Sequence, residues 1–143
     1  MARVAGHIFA PYRQLATVVI DVDNFTSINE SCGRATGDLL LKHVAATIAS
    51  HLRNADQFAR AEGAEFQLLL PDTSPDTALL TCEQIRAAIE RERWIPSHPE
   101  LRITVSIGIC NRLSEKSLEA TLAAADRALE QAKKSGRNKT RVA

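Results

Sequence analysis

The chain has no surplus of charge and no long apolar run. Eighteen Lys and Arg residues are matched by seventeen Asp and Glu residues, so the formal net charge at pH 7 is +1. Such a balance creates no global field that would draw the protein to nucleic acid. Its apolar runs, such as residues 15–20, are far shorter than the ~20 residues of a membrane-spanning helix. The sequence therefore predicts neither nucleic-acid binding nor membrane insertion.

Cysteine and histidine are also scarce. The three cysteines, Cys32, Cys82 and Cys110, are an odd number without metal-type spacing, which is typical of packed cysteines in a reducing compartment. The four histidines lack metal-ligand spacing as well. The first residues contain no apolar signal-peptide segment. We therefore expect a cytoplasmic protein.

Strand and helix patterns alternate through the 143 residues, a length that suits one domain with a single core. The predicted strands are residues 15–22, 57–62, 65–70, 103–110 and 139–142, and the predicted helices are about 25–30, a four-turn helix after Gly37, 75–93 and 117–134. The order βααββαβα(β) predicts an α/β (α+β) domain with a mixed central sheet flanked by helices.

Glycine and proline mark the turns between these elements. Gly63 separates two strand-like segments, which predicts a hairpin. Ser74 followed by Pro75 is the pattern of a helix N-cap with proline at the first helical position. Leu79 and Leu80 are predicted among the apolar positions of that helix.

Four short motifs carry the chemistry of the chain. Residues 25–30 read FTSINE, residues 37–38 read GD, residues 62–66 read EGAEF, and residues 132–138 read AKKSGRN. In this order and spacing they resemble the GGDEF domains, which condense two GTP molecules into cyclic di-GMP. The resemblance covers about residues 15–142 and implies the ferredoxin-like palm of nucleotide cyclases. It makes residues 15–143 the domain, and residues 1–14 a divergent or truncated segment.

The resemblance implies a metal site at the end of the first strand. Asp21 and the backbone carbonyl of Val22 match the first ligands of Mg²⁺, which prefers hard oxygen donors. Without the resemblance, Asp21 is equally a turn residue that caps the helix at Phe25.

The resemblance also implies a nucleotide site. Asn29 and Asp38 match the pair that reads the guanine edge, Phe25 opens the same motif, and Lys133 and Arg137 match the groups that hold the triphosphate. Two purely structural roles stay open: Asp38 caps the long helix, and the basic residues balance the dipole at the end of the last helix.

The sequence departs from the family where the reaction takes place. Ala64 stands at the third hairpin position, where the family has a metal-binding acid, and Glu62 replaces a glycine. Glu65 and Phe66 are retained, so the hairpin is predicted to be a vestige without an intact catalytic set. Two further departures lie outside the hairpin: Thr26 replaces a phosphate-binding lysine and Glu130 replaces a tyrosine.

A second ligand site is implied by Arg53 and Asp56. They match the Arg-x-x-Asp inhibitory site at which many GGDEF domains bind cyclic di-GMP, and the alternative is a solvated helix end. Leu80 and Gln84 stand where domain-bridging members carry further arginines.

The sequence thus favours a degenerate GGDEF domain without cyclase activity that binds cyclic di-GMP through Arg53 and Asp56. One alternative is a weak diguanylate cyclase that uses Mg²⁺, GTP and a homodimer, with Glu62 or Glu65 as the substitute acid. Another is a GTP-binding or interaction module that regulates a neighbouring signalling domain.

Overall fold

The computed structural model describes residues 14–94, 98–111 and 117–143. Of the predicted N-terminal segment, only Gln14 falls within this range, so the domain boundary at residue 15 stays a prediction. The elements are β1 (Leu15–Val22), α1 (Phe25–Cys32), α2 (Arg34–Ser50), β2 (Gln57–Arg60), β3 (Glu65–Pro71), α3 (Pro75–Arg91), β4 (Val105–Cys110), α4 (Leu118–Lys134) and β5 (Thr140–Val142). Their order confirms the predicted succession of strands and helices. In the described part of the chain no helix is long and apolar enough to cross a membrane.

The five strands form one mixed sheet in the order β2-β3-β1-β4-β5. β1 is central and pairs antiparallel with both β3 and β4, while β5 lies parallel to β4 at one edge. The central position explains why β1 is almost continuously apolar, because both of its faces are covered. The predicted mixed sheet and the predicted hairpin of β2 and β3 are confirmed.

The two faces of the sheet carry different helices. Val18 and Ile20 of β1 belong to a core cluster with residues of α2 and α3, whereas Val19 belongs to a second cluster with residues of α4. This division follows from the alternation of side chains along a strand. Cys82 and Cys110 are buried in these cores, and burial raises the pKa of the Cys82 thiol to about 12.

The position of α4 depends on Gly108 in β4. A Cβ atom at Gly108 would collide with the backbone of Ala125 and Leu129 in α4, so the helix rests directly on the strand. This close packing brings the C-terminal end of α4 to the end of β1, where the site lies.

Some boundaries differ from the sequence expectation. The long helix α2 begins at Arg34 rather than after Gly37, and its N-cap is Gly33. Asp38 therefore lies inside the helix, and the alternative that it caps α2 is wrong. Gly37 also lies inside the helix. A Cβ atom at this position would collide with the side-chain amide of Asn29 in α1, which explains why the residue is glycine. The glycine thus marks a close approach of two helices.

The third helix follows its predicted start but not its predicted apolar face. Ser74 accepts a hydrogen bond from the backbone of Thr77, with proline at the first turn. Leu79 and Leu80, however, are exposed, and the buried positions are Ala78, Cys82, Ile85 and Ile89. The buried positions repeat every three or four residues, and Leu79 and Leu80 follow Ala78 on the part of the helix that turns towards solvent.

Candidate functional site

A cleft of about 380 Å³ opens at the end of β1. Its walls come from the β1–α1 turn, the first turn of α1, the β2–β3 hairpin and the C-terminal end of α4. The sequence-predicted residues that line it are Asp21, Val22, Phe25, Gly63, Ala64, Lys133 and Arg137. The tertiary structure thus brings together three motifs that are separated along the chain.

The hairpin turn is fixed against β1 by backbone contacts. Gly63 has a left-handed backbone with φ of +62°, and its carbonyl accepts hydrogen bonds from Nε and Nη2 of Arg60 at 3.0 and 2.8 Å. The carbonyl of Ala64 accepts from the N–H of Val22 at 3.2 Å. The third hairpin position therefore lies next to the backbone of the predicted metal ligands.

Lys133 and Asp21 form an ion pair in this cleft. Nζ of Lys133 lies 2.7 Å from Oδ2 of Asp21 and 3.6 Å from Oε1 of Glu130. Partial burial lowers the pKa of Lys133, but the hydrogen bond and charge of Asp21, together with Glu130, outweigh this effect and raise the pKa above its ordinary value. The ammonium group of Lys133 is therefore charged, and it interacts with two carboxylates, those of Asp21 and Glu130. Glu130 stands at the position of the family's tyrosine.

Glu65 and Phe66 lie behind the cleft rather than in its lining. Glu65 is opposite Asp21 in the register of β1 and β3, and Phe66 is fully buried in the core. Burial raises the pKa of Glu65, and the negative charges of Asp126 and Asp21 raise it further. Glu62 is exposed on the hairpin.

Asn29 on α1 and Asp38 on α2 are not among the described residues that line the cleft. The Oδ1 atom of Asn29 is buried and has no hydrogen-bond partner among the described residues. It lies close to Gly37 and the ring of Phe25, while Asp38 is exposed on the next residue of α2. Buried polar atoms in proteins are nearly always hydrogen-bonded, so the Oδ1 atom of Asn29 is an exception among the described residues, as are Oε1 of Gln67 and Oδ1 of Asn111.

Arg53 and Asp56 are paired with each other. Nη2 and Nε of Arg53 lie 2.8 and 3.3 Å from the two carboxylate oxygens of Asp56, and the backbone N–H of Arg53 donates to the same carboxylate at 2.8 Å. Nη2 also contacts the carbonyl of Pro71 at 2.6 Å and Oγ1 of Thr73 at 2.7 Å. The pair therefore links the α2–β2 loop to the β3–α3 loop, so a solvated helix end is the wrong description of it.

Exposure differs sharply between the two partners. The side chain of Asp56 is 4% exposed, whereas that of Arg53 is 52% exposed. Leu80 and Gln84, at the positions of the family's further arginines, are exposed on α3 and offer no second cation there.

Asp23 is the residue that sequence reasoning missed. It is 6% exposed and accepts hydrogen bonds from Oγ1 of Thr104 at 2.7 Å, Oγ of Ser106 at 2.7 Å and the backbone N–H of Asn138 at 3.0 Å. The signal in the sequence is a second aspartate two residues after Asp21, which local patterns assign only to a polar turn.

The carboxylates of the cleft do not form the Mg²⁺ site that the resemblance implies. Asp21 is bound by Lys133, Asp23 is used by internal hydrogen bonds, and Ala64 has no donor side chain. Within the described ranges no group of three or more His, Cys, Asp or Glu residues could hold a metal ion. The residues therefore do not fit a metal held by the protein alone.

Comparison with known proteins gives matches over most of the chain. The family model described as "Diguanylate cyclase, GGDEF domain" matches residues 7–139. Diguanylate cyclase A of Treponema denticola is 36% identical over 126 residues, which are 87% of this chain and 34% of that protein. Diguanylate cyclase DgcP of Pseudomonas aeruginosa is 39% identical over 129 residues, 90% of this chain and 19% of that protein. The chain thus spans about a third or less of the length of these relatives.

Solved structures give the same match. The GGDEF domain of DgcB from Caulobacter crescentus, solved in complex with c-di-GMP, has a TM-score of 0.85 and 30% identity, covering 90% of this chain and 77% of that one. The active GGEEF domain of a diguanylate cyclase from Vibrio cholerae has a TM-score of 0.84 and 28% identity, covering 90% and 82%.

Proposed function

The chain belongs to the GGDEF domain family of diguanylate cyclases, and from this premise we propose that it is a non-catalytic, nucleotide-binding regulatory domain of cyclic di-GMP signalling. The observation that carries the proposal is the cleft itself. Lys133 and Arg137 line one side of the cleft, and the hairpin side has Ala64 at the position of the family's metal-binding acid.

The lack of an acid at Ala64 supports inactivity. Loss of a charged ligand next to a catalytic metal typically raises the barrier by several kcal/mol, or about a thousandfold or more in rate. Neither Glu62 nor Glu65 is among the residues that line the cleft, which weighs against either of them as a substitute for the lost acid. This weighs against the alternative of a weak cyclase, which would also require a homodimer with one GTP in each copy.

The retained groups support GTP as the ligand. The amide of Asn29 and the exposed carboxylate of Asp38 are groups that can pair with the guanine edge. Because Oδ1 of Asn29 is buried in this structure, guanine binding would require that side chain to move. Lys133 and the exposed Arg137 can hold phosphate oxygens. Mg²⁺ would enter only with GTP, because Mg²⁺ usually combines one or two carboxylates with substrate phosphates and water.

Cyclic di-GMP at Arg53 and Asp56 is the second candidate. The half-exposed guanidinium of Arg53 favours it. A ligand would, however, compete with the contacts that Arg53 makes to Asp56, Pro71 and Thr73. With Leu80 and Gln84 in place of a second clamp, we expect this binding to be weaker than GTP binding.

The proposed regulatory role requires a partner on which the domain acts. Because the relatives are about three times as long as this chain or longer, the proposed partner is a neighbouring signalling domain of the same or another protein. SiaD, a similar structure, was solved in complex with its activator SiaC from Pseudomonas aeruginosa. The cytoplasm remains the expected compartment.

Two measurements test the proposal. Calorimetric titration with GTP plus Mg²⁺ should give saturable binding that Arg137→Ala weakens, and incubation of the same mixture should yield no cyclic di-GMP above a buffer control. Turnover by the unmodified chain that Asp21→Ala abolishes would establish the weak cyclase instead. Binding of cyclic di-GMP without binding of GTP would make the second candidate the function, and binding of neither would leave an interaction module.

A further inference from the structure

Three consecutive residues after α4 have left-handed backbone conformations. The φ angles are +116° at Gly136, +63° at Arg137 and +48° at Asn138. Glycine adopts this region freely and asparagine tolerates it, but arginine rarely does. A non-glycine residue keeps such a conformation only where its surroundings impose it. The conformation of Arg137 therefore needs an explanation in its neighbours.

Asn138 is held from two sides. Its backbone N–H donates to Oδ2 of Asp23 at 3.0 Å. Its side-chain Oδ1 accepts from Nη1 of Arg86 at 3.0 Å, and its Nδ2 donates to Oε2 of Glu90 at 2.8 Å. Both polar groups of the side chain are thus directed at α3.

The partners of Asn138, which are Asp23 on one side and Arg86 with Glu90 on the other, are held by further contacts. Asp23 is buried and accepts from Thr104 and Ser106, next to and within β4. On α3, Nη1 of Arg86 lies 3.3 Å from Glu90 and Nε of Arg86 lies 2.6 Å from Glu83. Asn138 therefore bridges the end of β1, where the cleft lies, and the partly buried arginine of α3.

Arg137 is enclosed between this bridge and the end of α4. Its backbone N–H donates to the carbonyl of Ala132 at 3.0 Å, and the next residue is the bridged Asn138. The backbone of Arg137 is thus fixed on both sides, and its exposed side chain leaves the turn at the edge of the cleft.

We propose that Asn138 is a positioning residue: by joining Asp23 to the Arg86–Glu90 pair, it holds Arg137 in the left-handed conformation that directs its guanidinium to a bound triphosphate. The proposal rests on GTP binding in the cleft. It also makes α3 part of the phosphate-binding apparatus, although α3 itself does not line the cleft.

The central test is the Asn138→Gly variant. Glycine keeps the left-handed backbone accessible and retains the N–H that binds Asp23, while it removes the contacts to α3. Glycine also increases the backbone freedom of position 138, so the proposal requires the same effect in a variant that leaves Asn138 in place. Thr140→Val is the matched control, because Oγ1 of Thr140 donates to Glu83 of the same α3 network at 3.0 Å and leaves the contacts of Asn138 in place. Arg86→Met is a second variant that leaves Asn138 itself unchanged.

The first measurement is the ¹⁵N heteronuclear NOE of residues 136–138 in the ligand-free protein. It should fall at Arg137 in Asn138→Gly and in Arg86→Met, and should stay at the wild-type level in Thr140→Val. An unchanged value at Arg137 in either variant would overturn the proposal. This measurement needs no nucleotide, so it tests whether Asn138 fixes the backbone of Arg137 separately from GTP binding. A wild type that fails to bind GTP would refute the proposed function, whereas an unchanged NOE would refute the positioning role of Asn138.

The second measurement is calorimetric affinity for GTP plus Mg²⁺ in a double-mutant cycle with Arg137→Ala. Asn138→Gly alone should weaken binding about five- to tenfold, as expected for one misdirected charge-assisted contact. In the Arg137→Ala background the same change should have almost no further effect. An equal loss in both backgrounds would show a general structural role and overturn the proposal.

Discussion

Nζ of Lys133 lies 2.7 Å from Oδ2 of Asp21, so the last turn of α4 is joined to the end of β1 across the cleft. The contact pairs the residue matching the family's phosphate-binding lysine with the residue matching its first metal ligand. The ammonium group of Lys133 balances the charge of Asp21. Ala64, at the position of the family's other metal-binding acid, adds no second carboxylate to this pair. Phosphate oxygens entering the cleft would meet a lysine already oriented by an acid.

The first prediction concerns Lys133→Met, which removes the charge but keeps a long apolar side chain. We expect GTP affinity to fall about tenfold, because a hydrogen bond to a charged group contributes about 1.5–3 kcal/mol and part of this is already used by Asp21. Lys134→Met is the matched control, since Lys134 is exposed on the same helix end. Equal losses in the two variants would show that only the general charge of the helix end matters.

The contribution of Lys133 to the free energy of unfolding should not change with pH through the neutral range. The folded-state pKa of Lys133 is raised above its ordinary 10.5. Its stabilising contribution is therefore fully present below pH 10.5 and is lost only as the pH rises through the higher folded value. The difference in unfolding free energy between wild type and Lys133→Met, measured in urea from pH 7 to 9.5, should therefore stay constant.

The second prediction concerns the degenerate hairpin. The double variant Glu62→Gly with Ala64→Asp restores the small residue and the acid that the family carries, and we expect it to form measurable cyclic di-GMP from GTP and Mg²⁺. Thr26, in place of the family's lysine, should keep the rate low. Chromatographic detection of the product is the measurement, with the double variant carrying Asp21→Ala as the inactive control. A double variant that binds GTP but forms no product would show that Ala64 is not the main defect.

The third prediction concerns the Arg53–Asp56 pair. Arg53→Ala leaves the nearly buried carboxylate of Asp56 with the backbone N–H of Arg53 as its remaining partner. We expect a loss of about 1–3 kcal/mol in unfolding free energy, as for a buried group that loses its partners. Urea denaturation measures it, and Arg34→Ala, at an exposed arginine on the first turn of α2, is the control.

Arg53→Ala also distinguishes a structural role of Arg53 from a role in ligand binding. At a temperature well below unfolding, a cyclic di-GMP affinity that falls in both Arg53→Ala and Arg53→Lys would support the effector site, because a lysine lacks the planar fork of arginine. Loss of stability without any change in cyclic di-GMP affinity would make Arg53 a purely structural link between the two loops.

The fourth prediction concerns Glu65. Burial, and then the charges of Asp126 and Asp21, raise its pKa above the ordinary 4.5. A carboxyl whose pKa is higher in the folded than in the unfolded state binds protons more readily when folded. The stability penalty of its charge is therefore fully present above the raised value and disappears as the pH falls below 4.5.

Glu65→Gln should consequently be more stable than the wild type at pH 7, and the difference should shrink as the pH is lowered to 4. Thermal unfolding over this pH range measures it. Glu62→Gln makes the same change of charge on the exposed part of the hairpin and should show no comparable trend. A Glu65→Gln variant that is less stable at pH 7 than at pH 4, relative to wild type, would contradict the prediction.

The sequence by itself determined the elements of this protein. The buried strand β1, the hairpin at Gly63 and the N-cap of α3 at Ser74 follow from local patterns, because apolar periodicity, backbone freedom and capping act within a few residues. The motifs that match the family are local as well. They were sufficient to identify the fold and several residues that line the cleft, such as Asp21 and Lys133, but not Asp23.

Only the tertiary structure decided which of these residues meet. Asp23 and Asn138 are hydrogen-bonded although they are 115 positions apart in the sequence. Arg53 and Thr73 are hydrogen-bonded across a separation of 20 residues. Gly37, which the sequence placed just before the long helix, lies inside α2, where it packs closely against Asn29 of α1. Such contacts depend on strand order and on the position of each helix on the sheet. No local pattern encodes them, because they arise only when distant segments share one core.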